Sequence, residues 1–523
     1  MKNLLQKNYL LFILIFIILT VFFRTDFRFK NSVECCSDDY DYYIHAETIA
    51  FDFDLDYSNQ NVRSWNYNLN GKSTPIGFVG SGMLAAPFLF VGDSITNVAN
   101  NGPESIYNFR IVFYSLSSIF YLFLSYIFLC KISKILRTNV SKYLILLIFG
   151  GSGIAYFAFE RFSMTHVYEV FTTSLVIFLT CKYYQEKGSK IYAILIPIAL
   201  NLAFLVRLSN YYVFLLPLVT KLLVSKKIDV KSRLLLTKEF IFSTLINLFI
   251  YYFISFQLYG GLIFDPRKIY NSNIKIAENI ITNNSVFETL INLIKTGLIT
   301  VFGLEFGLIW CSPILFIGIF YIFKNFRSPS YLLVFLCYGQ LFYIVHLWQS
   351  AGSSYGFRYL YSLIPLGFLL FFVNYKGFGF EKKYIYVFSI FSILCILFFE
   401  TTLLTQLSME KELNSFGKNA LYVEPNYVQG VVTSLLEIDS YLIIFSTSLF
   451  GALVFKLGLI LFGKEGLVGL FEKLSLPTNN SDFQQLLSNL ELIPLINLLV
   501  TSLFLLIISF YVVYKIDDKN NNF

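Results

Sequence analysis

The stretch YLLFILIFIILTVFF at residues 9–23 is apolar apart from a single Thr, and it decides the class of fold. Lys2 and Lys7 precede it and Arg24 follows it directly. A secretion signal begins in this way, but no small-residue cleavage site follows. We therefore expect a retained signal anchor whose N-terminus is cytoplasmic, so that residue 24 onward lies outside.

Further apolar runs continue this pattern along the chain. Read with a window of about 19 residues, they are 106–130, 143–159, 166–181, 191–206, 209–224, 240–259, 303–323, 331–347, 359–374, 384–404, 438–462 and 490–514. Only 14% of the residues are charged and the mean hydropathy is +0.64, whereas about a quarter of the residues of a soluble domain are charged. The sequence predicts an all-α polytopic membrane protein with about 13 transmembrane helices, in a single membrane-embedded domain over residues 1–523.

The basic residues give the expected orientation. More than half of the 40 Lys and Arg residues fall in short stretches that this threading places in the cytoplasm. Orientation also accounts for the net charge of +7, so we expect no nucleic-acid partner. The outer side then carries the large segments 24–105, 260–302 and 405–437.

Two outer segments have the pattern of helices at the membrane surface. Residues 83–92 are apolar but too short to span, and they contain Pro87. Residues 286–300 place Glu288, Asn292 and Lys295 at spacings of three and four between apolar residues. We expect both segments to form interfacial helices.

The first outer loop is unusually acidic. It holds eight carboxylates and no Lys or Arg over residues 34–56: Glu34, Asp38, Asp39, Asp41, Glu47, Asp52, Asp54 and Asp56. A solvated acidic loop would explain most of them. Asp38, Asp39 and Asp41, however, alternate with tyrosines close to the end of a span, where a general base would meet a substrate carried by a lipid. We take these three as candidate catalytic residues, and the neighbouring Tyr42 and Tyr43 as candidate substrate-binding residues.

The three histidines all lie at the outer face in this threading. They are His45 in the acidic loop, His166 at the start of one span and His346 at the end of another. Glu169 follows His166 by three residues and so shares its helix face. A hydrogen-bonded structural role is common for each histidine alone, but their shared side makes all four residues candidates for substrate binding.

Basic residues at the outer edge are candidates for phosphate binding. Arg207 lies between two apolar runs, and Arg358 lies in a glycine-containing segment just before another. An Arg side chain matches the geometry of a phosphate group. Lys72 is a third candidate, although such residues often only reach toward lipid headgroups. The seven Cys form no metal-binding pattern, and participation of a divalent cation is left open.

The motifs of the first hundred residues resemble bacterial members of the GT-C superfamily of membrane glycosyltransferases. The resemblance rests on Asp38-Asp39-Tyr40-Asp41-Tyr42-Tyr43, Phe51-Asp-Phe-Asp-Leu-Asp56, and Pro75-Ile-Gly77 leading to Leu84-Ala-Ala-Pro-Phe88. A later patch, Ser354-Tyr-Gly-Phe-Arg-Tyr359, is similar to a Gly-x-Arg-x-Leu signature of the same group. Elsewhere only the hydropathy profile is similar.

This resemblance implies a GT-C-like helical bundle and an activity. Its members transfer a sugar from a polyprenyl-phosphate carrier to a lipid, glycan or protein acceptor at the outer face of the bacterial cytoplasmic membrane, with inversion at the anomeric carbon. Asp38 takes the place of the acidic first-loop residue, but Asp39 and Asp41 stand where relatives commonly have Gly, so the base can be any of the three. Lys72 takes roughly the place of a residue that meets the carrier phosphate, with one residue more before Pro75 than expected.

Two other classes of membrane protein share parts of this pattern. A transporter of lipid-linked oligosaccharides places ionisable residues in mid-membrane on broken helices, whereas here they gather at the outer edge. An O-antigen polymerase or ligase is expected to carry its main outer loop late in the chain, whereas the acidic loop here follows the first span. Both remain alternatives to a glycosyltransferase.

Overall fold

A computed structural model describes the protein at residues 2–25, 27–29, 37–60, 68–75, 77–99, 108–225, 227–228, 230, 232–269, 286–303, 307–348, 355–375, 380–407, 435–436, 438–473 and 481–517. Over these residues the fold is mainly helical, with twenty α-helices and one short hairpin. The helices are α1 Lys2–Phe22, α2 Ser37–Phe51, α3 Val79–Ala99, α4 Arg110–Ile135, α5 Lys142–Gly150, α6 Ile154–Phe159, α7 His166–Gln185, α8 Lys190–Val206, α9 Leu216–Val224, α10 Lys238–Tyr259, α11 Val286–Phe302, α12 Leu308–Cys311, α13 Pro313–Lys324, α14 Pro329–Trp348, α15 Ile364–Asn374, α16 Phe380–Leu407, α17 Ile438–Thr447, α18 Leu449–Lys473, α19 Ser481–Leu492 and α20 Leu495–Asp517. The hairpin pairs β1 Asn68–Leu69 with β2 Lys72–Ser73 in antiparallel register.

Five of the described helices are long and apolar enough to cross a membrane. They are α3, α4, α10, α14 over Pro329–Leu347, and α20 over Leu495–Tyr514. Shorter apolar helices of 10–17 residues accompany them among the described residues. The chain is therefore mostly helical and has the character of a membrane protein, while a bundle of about 13 spans stays a prediction.

Three of the predicted continuous runs are split into two helices each, at 143–159, 303–323 and 438–462. The first split has a clear physical cause at Gly153, which has a φ of 85°. A Cβ atom there would lie 2.3 Å from the Tyr361 hydroxyl oxygen. A hydropathy window does not detect such a break, because the residues on both sides of it are apolar and the averaged value stays high.

Helices α2 and α3 pack side by side through a glycine. A Cβ atom on Gly82 would lie 2.4 Å from His45 Cβ and 2.8 Å from the backbone nitrogen of Ala46. Just beyond the end of α2, the ring of Phe53 lies 6.2 Å from that of Phe90 on α3, so the two helices run parallel. This close approach fixes the position of α2 along α3, and with it the position of the acidic residues in the first turn of α2.

The helix at α3 is longer than the ten-residue segment expected at 83–92, since it covers 21 residues and keeps Pro87 inside it. Polar residues at its ends lowered the apparent length of the apolar run. Its contacts nevertheless keep both ends at one end of the bundle. Gly80 packs against Val206 at the end of α8, and Asp93 pairs with Arg110 at the start of α4. By length and composition, the prediction that this segment is too short to span is wrong, and an interfacial position for α3 stays a prediction.

The segment after α1 is joined to the start of α18. Arg24 forms a β-bridge with Ser448, and its Nη1 donates to the carbonyl oxygen of Ile444 at 2.7 Å. Its Nε lies 3.0 Å from Glu160 Oε1, and both side chains are buried. The end of α1 is thus tied to the α6–α7 connection and to the C-terminal third of the chain.

Candidate functional site

Four connections that are far apart in sequence meet at one end of the bundle. Asp38 and Asp39 at the start of α2 contact Arg358 and Arg161, respectively. Glu169 in the first turn of α7 contacts Arg207 at the end of α8. We call these six residues, Asp38, Asp39, Arg161, Glu169, Arg207 and Arg358, the charged cluster. The threading of the sequence had placed all four connections on the outer side, and their convergence agrees with a common side.

Asp39 is the buried member of the acidic pair on α2. Its Oδ2 lies 2.9 Å from Arg161 Nε and 2.7 Å from Arg161 Nη2, and its side chain is only 3% exposed. The Ser163 hydroxyl donates to the Asp39 carbonyl oxygen at 2.5 Å. Burial raises the pKa of the Asp39 carboxyl above its usual range, while the charge of Arg161 acts in the opposite direction. Asp39 therefore serves to anchor α2.

Asp38 is accessible and faces another arginine. Its side chain is 49% exposed, and its Oδ2 lies 3.4 Å from Arg358 Nη2. The adjacent side chains diverge because an α-helix turns by about 100° per residue. Arg358 is buried, and its Nη1 lies 3.9 Å from the sulfur of Met164. Among the described residues, its Nε has no hydrogen-bond partner.

Arg207 is engaged much more fully than Arg358. Its Nη1 donates to Glu169 Oε1 at 3.0 Å, and its Nε donates to the Ser209 hydroxyl at 3.2 Å. Glu169 also accepts a hydrogen bond from Asn210 Nδ2 at 2.7 Å, and His166 Nδ1 lies 3.0 Å from it. This buried network fixes the turn after α8, and it leaves Arg207 less free than Arg358 to bind an anion.

The ring of Tyr359 links the two predicted phosphate-binding arginines. The Arg207 guanidinium carbon lies 4.8 Å from its ring centroid, and that of Arg358 lies 5.3 Å from it. A cation within about 6 Å of an aromatic face is attracted to it. Tyr359 thus holds both guanidinium groups close to one ring.

The remaining first-loop candidates point into the packing between helices. Tyr42 packs against Gly77, and Tyr43 makes an edge contact with Tyr114 at 5.2 Å. His45 Nδ1 lies 2.5 Å from the Tyr57 hydroxyl, and its Nε2 lies 2.9 Å from the Gly77 carbonyl oxygen. Both ring nitrogens of His45 therefore have structural partners, and burial lowers its pKa to about 4.

Three further candidates lie outside the charged cluster. Asp41 is buried, with 1% exposure. Lys72 is exposed on the hairpin, whose neighbour Asn70 donates to the Tyr259 carbonyl oxygen at the end of α10. His346 on α14 contacts the Thr296 hydroxyl of α11 at 3.1 Å. In the described part of the chain, we find no contact of Lys72 or His346 with the cluster.

A small apolar void lies between the start of α3, the end of α8 and α10, with room for about one water molecule. Its lining includes Phe78, Leu205, Leu208, Tyr251 and Leu258, all of which are buried. Leu205 and Leu208 flank Arg207 in sequence.

Arg161, Asn210 and Tyr359 were not predicted as site residues. Arg161 follows Glu160 in the short connection between two apolar runs, and two charges at such a place are a usable signal. Asn210 and Tyr359 each stand within three residues of a predicted arginine, but nothing in the sequence distinguishes them from other polar and aromatic neighbours.

The described residues contain no group of three or more His, Cys, Asp or Glu side chains placed to hold a metal ion. What they define is a mostly helical protein of membrane character with a charged cluster at one end of its helices. No protein-family model, no curated protein and no solved structure matches the chain. The similarity to GT-C glycosyltransferases therefore rests on the sequence motifs alone.

Proposed function

We propose that the protein is a glycosyltransferase that moves a sugar from a polyprenyl-phosphate donor to a cell-envelope acceptor at the outer face of the bacterial cytoplasmic membrane. Asp38 is the general base, and Arg358 binds the donor phosphate. The supporting observation is the 3.4 Å contact between an accessible Asp38 carboxylate and an Arg358 whose Nε donor is unused among the described residues.

The three candidate carboxylates differ in access. Asp39 and Asp41 are buried, with 2% and 1% of the residue exposed, whereas the Asp38 side chain is half exposed. A general base must come within hydrogen-bond reach of the proton that it removes. Access therefore favours Asp38 as the base, with Asp39 as its anchor.

The reaction is a single displacement at the anomeric carbon. The acceptor oxygen forms a bond to this carbon while the bond from carbon to phosphate oxygen breaks, and the bonding electrons leave with the polyprenyl phosphate. The acceptor hydroxyl proton passes to Asp38. Arg358 offsets the charge that develops on the leaving phosphate, an effect that is strong where water is excluded.

The lipid-linked donor is taken from the resemblance of the sequence motifs to GT-C glycosyltransferases. A polyprenyl chain requires a hydrocarbon surface beside the site that holds its phosphate.

The test is a transfer assay on the full chain in lipid nanodiscs. The donors are decaprenyl-phosphate-linked glucose, mannose and N-acetylglucosamine, each radiolabelled in the sugar, with envelope material as the acceptor. We expect Asp38→Asn to lower the rate on the order of 100-fold or more, since general-base catalysis contributes about 100- to 10,000-fold.

Asp54→Asn is the matched control, because Asp54 is an exposed carboxylate of the same loop. It should retain transfer. Asp39→Asn and Asp41→Asn complete the series of three candidates. If all three candidate variants transfer sugar as fast as the wild type, the first-loop mechanism is wrong.

A further inference from the structure

The connection between α6 and α7 contacts both partners of the proposed reaction. Arg161 and Ser163 bind Asp39 on α2, and Met164 lies against Arg358. The four-residue stretch 161–164 therefore contacts both α2, which carries the proposed base, and Arg358, which is proposed to bind the phosphate.

We propose that Arg161 is a positioning residue that fixes the direction of the Asp38 carboxylate. This inference rests on the proposed function. Arg161 contacts Asp39 rather than Asp38, so it acts through the rotation of α2 about its axis. Because consecutive residues of an α-helix are about 100° apart, a fixed direction for Asp39 also fixes that of Asp38.

The contacts of the first turn of α2 support this role. Two N–H groups of Arg161 lie within 2.9 Å of one Asp39 oxygen, and the Ser163 hydroxyl holds the Asp39 carbonyl. Ser163 is itself held by the Tyr114 hydroxyl of α4 at 2.8 Å. The start of α2 is thereby attached to two other elements through directional contacts.

Stability alone does not explain a buried pair of this kind. The loss of hydration of two ions largely cancels their attraction, so a buried ion pair contributes little net stability. The Arg161 and Asp39 side chains are 13% and 3% exposed. Their contribution is a defined geometry, which is what a base next to a reacting carbon requires.

The neighbouring residue provides a matched control. Glu160 forms an equally buried ion pair with Arg24, at 3.0 Å, and holds the same connection against α1. Its pair does not involve α2. If Arg161 only fastened the connection, substitutions at positions 160 and 161 would have the same effect on Asp38. If Arg161 positions α2, only the substitution at position 161 changes the direction of Asp38.

The experiment compares Arg161→Gln with Glu160→Gln in the full chain in nanodiscs. Carbodiimide and glycine ethyl ester label accessible carboxylates, and mass spectrometry gives the labelling of Asp38 relative to Asp54. We expect this ratio to change severalfold in Arg161→Gln and to stay at the wild-type value in Glu160→Gln. With decaprenyl-phosphate-linked donors, kcat should fall on the order of 100-fold in Arg161→Gln, with little change in the donor KM.

An unchanged Asp38 labelling ratio in Arg161→Gln, or equal losses of kcat in both variants, would overturn the inference. If the wild type transfers no sugar, the proposed function fails, but the labelling comparison still decides whether Arg161 orients Asp38. If Arg161→Gln does not fold, the double variant Asp39→Asn with Arg161→Gln is used instead, since it replaces the ion pair by two neutral amides. In this variant the labelling of Asp38 relative to Asp54 should return toward the wild-type value. An altered labelling ratio in the folded double variant would also count against the inference.

Discussion

The glycine contact between α2 and α3 gives a prediction whose sign follows from geometry. Gly82 faces the backbone of α2, where a Cβ atom would lie 2.8 Å from the nitrogen of Ala46 and 2.4 Å from His45 Cβ. In the part of the chain that the structure describes, a Cβ atom on Gly339 of α14 would meet no atom within 4 Å apart from the backbone of its own helix. The substitutions Gly82→Ala and Gly339→Ala therefore add the same methyl group to two helices with opposite consequences.

The magnitude at each position can be worked out. Carbon atoms in contact are about 3.5 Å apart, so the Gly82→Ala methyl group requires a movement of about 1 Å between α2 and α3. Forcing extra volume into a packed contact costs about 1–3 kcal/mol. At Gly339 the gain in helix propensity from Gly to Ala, about 1 kcal/mol, meets no steric opposition.

Thermal unfolding of both variants in the same detergent tests this reasoning. We expect Gly82→Ala to lower Tm and Gly339→Ala to leave it unchanged or raise it. Since α2 carries Asp38, the same shift should lower sugar transfer on the order of 100-fold in Gly82→Ala only. A Gly82→Ala protein with wild-type Tm would refute the close packing of α2 on α3.

Two more predictions concern Arg358 and His45. Arg358→Ala should raise the apparent KM for the polyprenyl donor about 10- to 100-fold, since hydrogen bonds to charged groups contribute about 1.5–3 kcal/mol. A change in the KM of the acceptor alone would contradict phosphate binding by Arg358. Burial lowers the pKa of His45 from 6.5 to about 4, so the folded protein holds this side chain in its neutral form. The contribution of His45 to stability is therefore fully present above pH 6.5. About 3 kcal/mol of it is lost as the pH falls through 4, because the unfolded chain binds a proton more readily. His45→Gln should therefore show a smaller drop in Tm between pH 7 and pH 4 than the wild type, and equal drops would exclude His45 as the cause.

Much of the helical class and part of the site can be predicted from the sequence. Long apolar runs require internally hydrogen-bonded helices, and all the predicted runs contain helices in the described residues. Asp38, Glu169, Arg207 and Arg358 were recognised because charges are expensive near a membrane and stand out against apolar surroundings.

What could not be predicted depends on contacts between distant parts of the chain. Nothing local to Asp39 indicates that Arg161 buries it, or that Asp38 beside it stays accessible. The same holds for His45, whose partners Tyr57 and Gly77 come from separate turns. Hydropathy likewise records the apolar character of α3 but not the glycine contacts that keep both its ends at one end of the bundle.

The bridge between Arg24 and Ser448 has a consequence for biosynthesis. The guanidinium of Arg24 takes the Ile444 carbonyl as an acceptor, 420 residues later in the chain. Helix α1 is therefore synthesised long before the residue that accepts the hydrogen bond from Arg24. A nascent chain stalled before residue 444 would lack this acceptor, and its Arg24 would be incompletely paired.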